Sequence, residues 1–212
     1  DTVVREAIEN PDKNYLVIVP EQFTMQTQKD LCLAHPKGGI MNIDVLSFGR
    51  LAYRVFEEVG QDARVVLDDE GKNLVLRKIA GECEKDLKVF KGNLKKQGYI
   101  SEVKSVLSEF AQYGVDFERL DDFMKEVPPE SYLHYKLDDI RTIYEKFEEY
   151  LSEKYITKEE MLDVLSDAVP YSDILKGSVV AMDGFTGFTP VQNRLIGELF
   201  SVCEKVMITV TM

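Results

Sequence analysis

The sequence predicts an α/β fold in which a parallel sheet is interrupted by a long, all-helical insertion. Three features of the chain point to it. Val179–Met182, bounded by Gly177 and Gly184, is an unbroken β-favouring run of the kind found in strands buried on both faces. Tyr15–Val19, Ile43–Leu46 and Val206–Val210 are further short runs of the same character, and helical patterns follow the first two. Between residues 68 and 175 such runs become scarce and a three-four apolar spacing takes over.

The chain has 212 residues, 44% of them apolar and 10% aromatic, enough to bury a sizeable core. It opens on Asp1 and stops inside an apolar run, so it is expected to be a piece of a longer protein. No stretch approaches the roughly 18 apolar residues of a membrane span and no signal peptide is visible, which makes the cytoplasm the expected compartment and leaves no membrane partner. Cys32, Cys83 and Cys203 lack paired spacing, and neither His35 nor His134 has a ligand nearby in sequence, so no metal site is expected. A formal charge of −12 opposes a broad electrostatic grip on nucleic acid, so any such contact must be local or shared with other domains.

In chain order, Thr2–Glu9 spaces Val4, Ala7 and Ile8 on one helical face, and Asn10-Pro11-Asp12 ends that helix. Tyr15–Val19 then reads as a strand stopping at Pro20-Glu21-Gln22, with a helix after it carrying Phe23, Met25, Leu31 and Leu33. Glu21 suits the positive end of a helix dipole. His35-Pro36-Lys37-Gly38-Gly39 is a turn, and Ile43–Leu46 is the second strand. Ser47 caps a helix whose stripe is Phe48, Leu51, Ala52, Val55 and Phe56, closed by Gly60. Within the insertion, Leu74, Val75, Lys78 and Ile79 mark one helix and Val103, Val106, Leu107 and Phe110 another. Leu137, Ile140, Tyr144, Phe147 and Leu151 line a long helix that starts after Pro128-Pro129. Thr157-Lys-Glu-Glu160 is a capping box, and Pro170 ends the helix it starts. Lys85, Lys88, Lys91, Lys95 and Lys96, interleaved with Phe90 and Tyr99, form the one basic patch; it reads as a solvated helix face with a loop at Gly92-Asn93, or as a single-strand contact.

Asp183 follows the strand Val179–Met182, at the edge where open α/β sheets bind ligands and where nucleotide-hydrolysing folds hold magnesium. Asp183-Gly184 is equally a favoured turn pair that ends a strand. Thr189-Pro190-Val191-Gln192 is a capping box with Pro at the first helical position. No phosphate loop stands in these residues. The triplet Gly71-Lys72-Asn73 is no substitute, with Val66 where that loop needs Gly and Asn73 where it needs Ser or Thr.

Strand, Asp183, one residue, Phe185, then a helix carrying Gln192 resembles the Walker B region of UvrD-type superfamily 1 helicases. The nearest likeness is to the B subunits of AddAB-type helicase-nucleases, in which this segment is likewise eroded. Val19-Pro20-Glu21-Gln22 resembles the start of the DNA-contact motif Ia, and Val45-Leu46-Ser47-Phe48 with Arg50-Leu51 resembles the Ser-Phe motif that touches single-stranded DNA. The three occur in family order across nearly the whole chain. The resemblance implies an incomplete RecA-like, P-loop NTPase-like sheet, with domain 1A in residues 1–67 and 176–212 and a 1B-like helical insertion in 68–175. It implies DNA contacts by Gln22, Ser47, Phe48 and Arg50, and a degenerate Walker B in Asp183, Gly184 and Gln192, with Asp183 a vestigial magnesium position and no catalytic residue intact. Gly184, Thr186 and Gly187 stand where an active helicase has Glu, Gln and Asp, and a glycine cannot activate the attacking water.

In that family ATP and magnesium serve the parent hydrolase, the A subunit carries the motor, and the B subunit supplies a C-terminal nuclease and scans for the hotspot sequence Chi. The expected role is therefore that of a degenerate helicase-like domain holding single-stranded DNA at processed double-strand ends and assembling with the A subunit, with no cofactor of its own. Two other readings stand beside it: an active helicase domain whose phosphate loop lies elsewhere, and a purely structural interaction domain.

Overall fold

The computed structural model describes residues 2–60, 64–94, 96–152 and 154–209. It is an α/β protein, mostly helical, that divides into two compact units: residues 1–62 with 161–212, and residues 63–160.

The first unit is built on a four-stranded sheet of β1 (Tyr15–Ile18), β2 (Ile43–Leu46), β5 (Val179–Met182) and β6 (Lys205–Ile208), in the spatial order β2-β1-β5-β6. Every pairing is parallel, with Ile18 level with both Leu46 and Met182, and Met182 level with Ile208. The four strands lie where the apolar runs predict them; Val210, expected in the last, falls outside the described residues. β1 is buried along its whole length, as its position between two strands requires. Helices α1 (Thr2–Glu9), α2 (Thr24–Ala34), α3 (Phe48–Val59), most of α8 (Lys158–Ala168) and α9 (Pro190–Val202) accompany the sheet. Val4 and Ala7 of α1 pack with Tyr15, Val17, Val19, Ile43 and Val179 in one core cluster. α2 behaves differently from the others: Leu31 packs against that cluster while Met25 and Leu33 face solvent, so only part of its apolar pattern is a buried face.

The second unit holds β3 (Val65–Leu67), α4 (Asp69–Cys83), α5 (Gln97–Tyr113), α6 (Phe117–Glu126), α7 (Tyr132–Leu151) and β4 (Tyr155–Thr157). Its core joins Leu76 and Ile79 of α4 to Ile100, Val103 and Leu107 of α5 and to Ile140, Ile143 and Phe147 of α7. The all-helical expectation needs one correction, because β3 and β4 form a two-stranded parallel sheet of their own, Val65 level with Tyr155 and Leu67 with Thr157. Three residues are too few to show a period in sequence, yet extended backbone must find hydrogen-bond partners once it is buried. The compact unit of 63–160 and the expected excursion of 68–175 also differ in their bounds. The body of α8 goes with the sheet unit, where Arg194 of α9 bonds Asp163 at 2.7 Å and pairs with Asp167.

Helix starts follow the chemistry of their capping residues. Ser47, Asp68, Asp116, Ser131 and Thr189 each accept a hydrogen bond from the backbone N–H three residues on, satisfying one of the donors a helix leaves open. Gly60 and Gly114 close α3 and α5 in the left-handed region, at φ of 68° and 64°.

Candidate functional site at the carboxyl edge of the sheet

Because all four strands of the sheet are parallel and in register, their carboxyl ends make one edge. Three backbone bonds extend the ladder one residue beyond the strands: Val19 N–H to the Leu46 carbonyl at 2.9 Å, Asp183 N–H to Ile18 at 3.0 Å, and Thr209 N–H to Met182 at 2.9 Å. Ser47, Val19, Asp183 and Thr209 therefore stand in a row, and the three family-like strand ends sit side by side.

Within that row the predicted residues have unequal access. Ser47 is buried, and its Oγ accepts from Arg50 N–H at 3.3 Å as the cap of α3. Phe48 is also buried, its ring centroid 5.3 Å from that of Phe185, which in turn lies 5.1 Å from Phe188. Gln22 and Arg50 are exposed. Arg50 Nε lies 3.6 Å from Glu21 Oε1, a solvated pair that holds the ends of β1 and β2 together only weakly. Phe23, half exposed, adds an apolar surface beside these polar groups.

Asp183 is exposed, and its Oδ1 accepts from Gly184 N–H at 2.9 Å and from the Thr209 hydroxyl. The carboxylate thus ends its strand in a local turn and ties it to β6, the structural role its Asp-Gly pairing suggests. Gly184 holds φ at +78°, and a Cβ there would meet Pro20 Cδ at 3.5 Å and Phe23 Cδ2 at 3.6 Å. Gln192 completes the capping box of α9: its Oε1 accepts from Thr189 N–H at 3.0 Å while its own N–H donates to Thr189 Oγ1 at 3.4 Å. Thr209, Phe23 and Phe188 are the members of this edge that sequence reasoning missed. The Phe185/Phe188 spacing was a signal, whereas nothing local marks Thr209 as a partner of Asp183.

The other predicted positions lie in the 63–160 unit. Lys72 stands in the interior of α4, bonded to Glu159 at 2.7 Å and to Ser108 at 3.2 Å, so the Gly-Lys-Asn triplet is part of a helix. In the basic patch, Phe90 is buried in the core, Lys88 bonds Asp138 at 2.8 Å, and Lys96 lies over the Tyr99 ring at 6.0 Å; Lys95 falls outside the described residues. The stretch from Lys88 to Phe90 is pinned by Asp139, which is 1% exposed and accepts from the N–H groups of Lys88, Val89 and Phe90 at 2.7–2.8 Å. Among the described residues no cluster of His, Cys, Asp and Glu could hold a metal ion, and no helix is long and apolar enough to cross a membrane.

Fold and edge together define an α/β protein with a parallel-sheet unit, a mainly helical unit inserted before β5, and candidate residues gathered at the strands' carboxyl ends. Comparison of the sequence with known families gives the rest. The profile described as "ADDB, N-terminal" matches residues 1–212, and the chain belongs to that family. A protein of Lachnoclostridium phytofermentans, named as the B subunit of an ATP-dependent helicase/deoxyribonuclease, is 46% identical over 210 residues, 99% of this chain. Proteins of the same name from Alkaliphilus metalliredigens and Clostridium tetani are 36% and 35% identical over 96% and 98% of it. The chain spans 18% of the length of each of these relatives.

Proposed function

We propose that the chain is the N-terminal, helicase-like part of the B subunit of an ATP-dependent helicase-nuclease that processes double-strand DNA ends for recombinational repair. Its sheet unit serves as a RecA-like domain 1A and the 63–160 unit as the 1B insertion. It holds single-stranded DNA and assembles with the A subunit, while ATP and magnesium act elsewhere in the complex. The observation that carries this reading is the adjacency of three strand ends, Pro20-Glu21-Gln22, Ser47-Phe48-Gly49-Arg50 and Asp183-Gly184-Phe185, on one sheet edge. Exposed Arg50 and Gln22 offer donors for phosphate or base oxygens, half-exposed Phe23 offers an apolar face, and Gly184 offers no carboxylate with which to activate water.

The test is fluorescence-anisotropy titration of a short single strand against the complete two-subunit complex, comparing wild type with Arg50→Ala and Gln22→Ala. Arg50→Ala is expected to weaken binding about tenfold and to lower the salt slope by about one. Affinity and slope unchanged in both variants would remove the edge from the DNA path.

A further inference from the structure

In the 63–160 unit a groove runs between α4 and the basic segment that follows it. Ala80, Leu87, Phe90 and Leu94, all buried, make its apolar floor, and its volume of about 450 Å³ is within the roughly 300–1,000 Å³ of pockets that take whole ligands. Gly81 lines it too. A Cβ at Gly81 would meet nothing within 4 Å, so no packing within the unit calls for a glycine in the last turn of α4, where it is a poor helix former. Its missing side chain is what keeps the groove open. Leu74, two turns earlier on the same face of α4, is 66% exposed and extends the apolar surface. The wall opposite α4 is fixed in place: Asp139 accepts from the Lys88, Val89 and Phe90 amides, and the Asn93 and Leu94 N–H groups donate to the Phe90 carbonyl at 2.9 and 3.3 Å. An occupant therefore meets a preformed surface.

The charge around the groove says what fits it. Residues 85–96 hold five lysines and one aspartate in a chain of formal charge −12. Lys88 is bonded to Asp138 and Lys96 lies over Tyr99, whereas Lys85 and Lys91 are exposed and enter no ion pair among the described residues. These two adjoin the lining residues Glu84 and Gly92 in sequence, so uncommitted positive charge borders an apolar groove. Nucleic acid is the poorer match. Single strands stack their bases on open aromatic faces, and among the described residues the one ring lining this groove, Phe90, is 3% exposed and packed edge-on against Tyr99 at 6.2 Å. We propose that the groove docks an acidic amphipathic helix of a partner protein, whose apolar face enters over Gly81 and whose carboxylates face Lys85 and Lys91. Lying along α4, that helix also covers Leu74.

The test uses the full-length polypeptide, purified alone, and a fluorescein-labelled designed peptide with leucine at every third or fourth position and glutamate between. Anisotropy titration is expected to show saturable binding that is lost when lysine replaces the glutamates or serine replaces the leucines. Lys85→Glu combined with Lys91→Glu should weaken it about tenfold. Gly81→Leu, whose side chain has open room, should weaken it at least as much by filling the groove, with the amide protection of α5 and α7 unchanged. Bound peptide should slow hydrogen exchange in residues 77–94. The proposal is overturned by a lack of saturable binding, by equal binding of the acidic and basic peptides, by affinity indifferent to both variants, or by protection confined to other residues. It is overturned equally by a thymidine single strand that protects 77–94 in the peptide's place, or by self-association of the polypeptide that the double lysine variant abolishes, since each gives the groove another occupant. None of these readouts draws on DNA binding at the sheet edge, so either reading can fail without the other.

Discussion

Under the function proposed above, Gly184 stands where an active helicase would carry a glutamate, and its backbone explains why a single replacement would not restore that site. At φ of +78° an L side chain is strained whatever room it has, so Gly184→Glu is expected to cost about 1–3 kcal/mol without conferring ATP turnover. Urea denaturation and a steady-state ATPase assay check the two halves of that statement; magnesium-dependent turnover by the variant would contradict it. Asp139 offers a second residue-level test. Its oxygens accept from three successive N–H groups, of Lys88, Val89 and Phe90, and bonds to a charged acceptor contribute about 1.5–3 kcal/mol each. Asp139→Ala should therefore cost on the order of 3 kcal/mol or more. Asp139→Asn should cost less, because its amide oxygen can take the Oδ2 place and accept from Val89 and Phe90 while its NH2 faces only the Lys88 N–H. Denaturation of both variants, compared with wild type, measures it.

At the scale of elements, the links that matter join helices distant in sequence. Lys72 of α4 and Glu159 of α8 lie 87 residues apart and form a pair in which the lysine is buried. Breaking such a pair strands a charge, so Lys72→Met is expected to destabilise by about 3–5 kcal/mol, whereas Lys72→Met combined with Glu159→Leu should recover most of that loss. A double-mutant cycle read by urea denaturation decides it; a double variant no better than the single would show that the cost lies in packing rather than charge. The exposed caps behave more simply. Replacing Asp68 or Asp116 with Ala should each cost about 1 kcal/mol, and with Gly only a few tenths. These starts were legible in advance where a capping residue preceded an apolar stripe, as at Ser47, Thr157 and Thr189. β3 and β4 were not, because each is three residues long and gains its identity only by pairing with the other.

For the molecule as a whole, the two units have separate cores: one around Val17, Val19 and Val179, the other around Leu76, Ile143 and Phe147. A lesion in the second should therefore register there first. In Asp139→Ala, hydrogen exchange is expected to lose protection in α4, α5 and α7 while β1 and β5 keep theirs; equal loss in both units would mean that they unfold together. The net charge of −12 acts on the entire chain. It opposes nonspecific adhesion to DNA, so under the function proposed above the sheet edge with Gln22 and Arg50 would have to act locally, over the roughly 8 Å that charges reach at physiological salt.

Much of this architecture is written in short windows of the chain. Apolar runs located the four strands of the sheet, caps and three-four spacing located most helices, and the ordered endings Pro-Glu-Gln, Ser-Phe and Asp-Gly-Phe pointed to the family. These signals are legible because they depend on backbone preference and side-chain bonds within a few residues. Tertiary structure alone decided the strand order β2-β1-β5-β6 that puts Ser47, Val19, Asp183 and Thr209 in one row, the burial of Phe48 beneath Phe185, and the exposure of Met25 and Leu33. It also decided which polar groups meet: Asp139 with the Lys88–Phe90 amides and Lys72 with Glu159. A local pattern can say that a residue is helical or extended, but its partner across tens of residues is chosen by packing and desolvation, which act only once the chain has closed on itself.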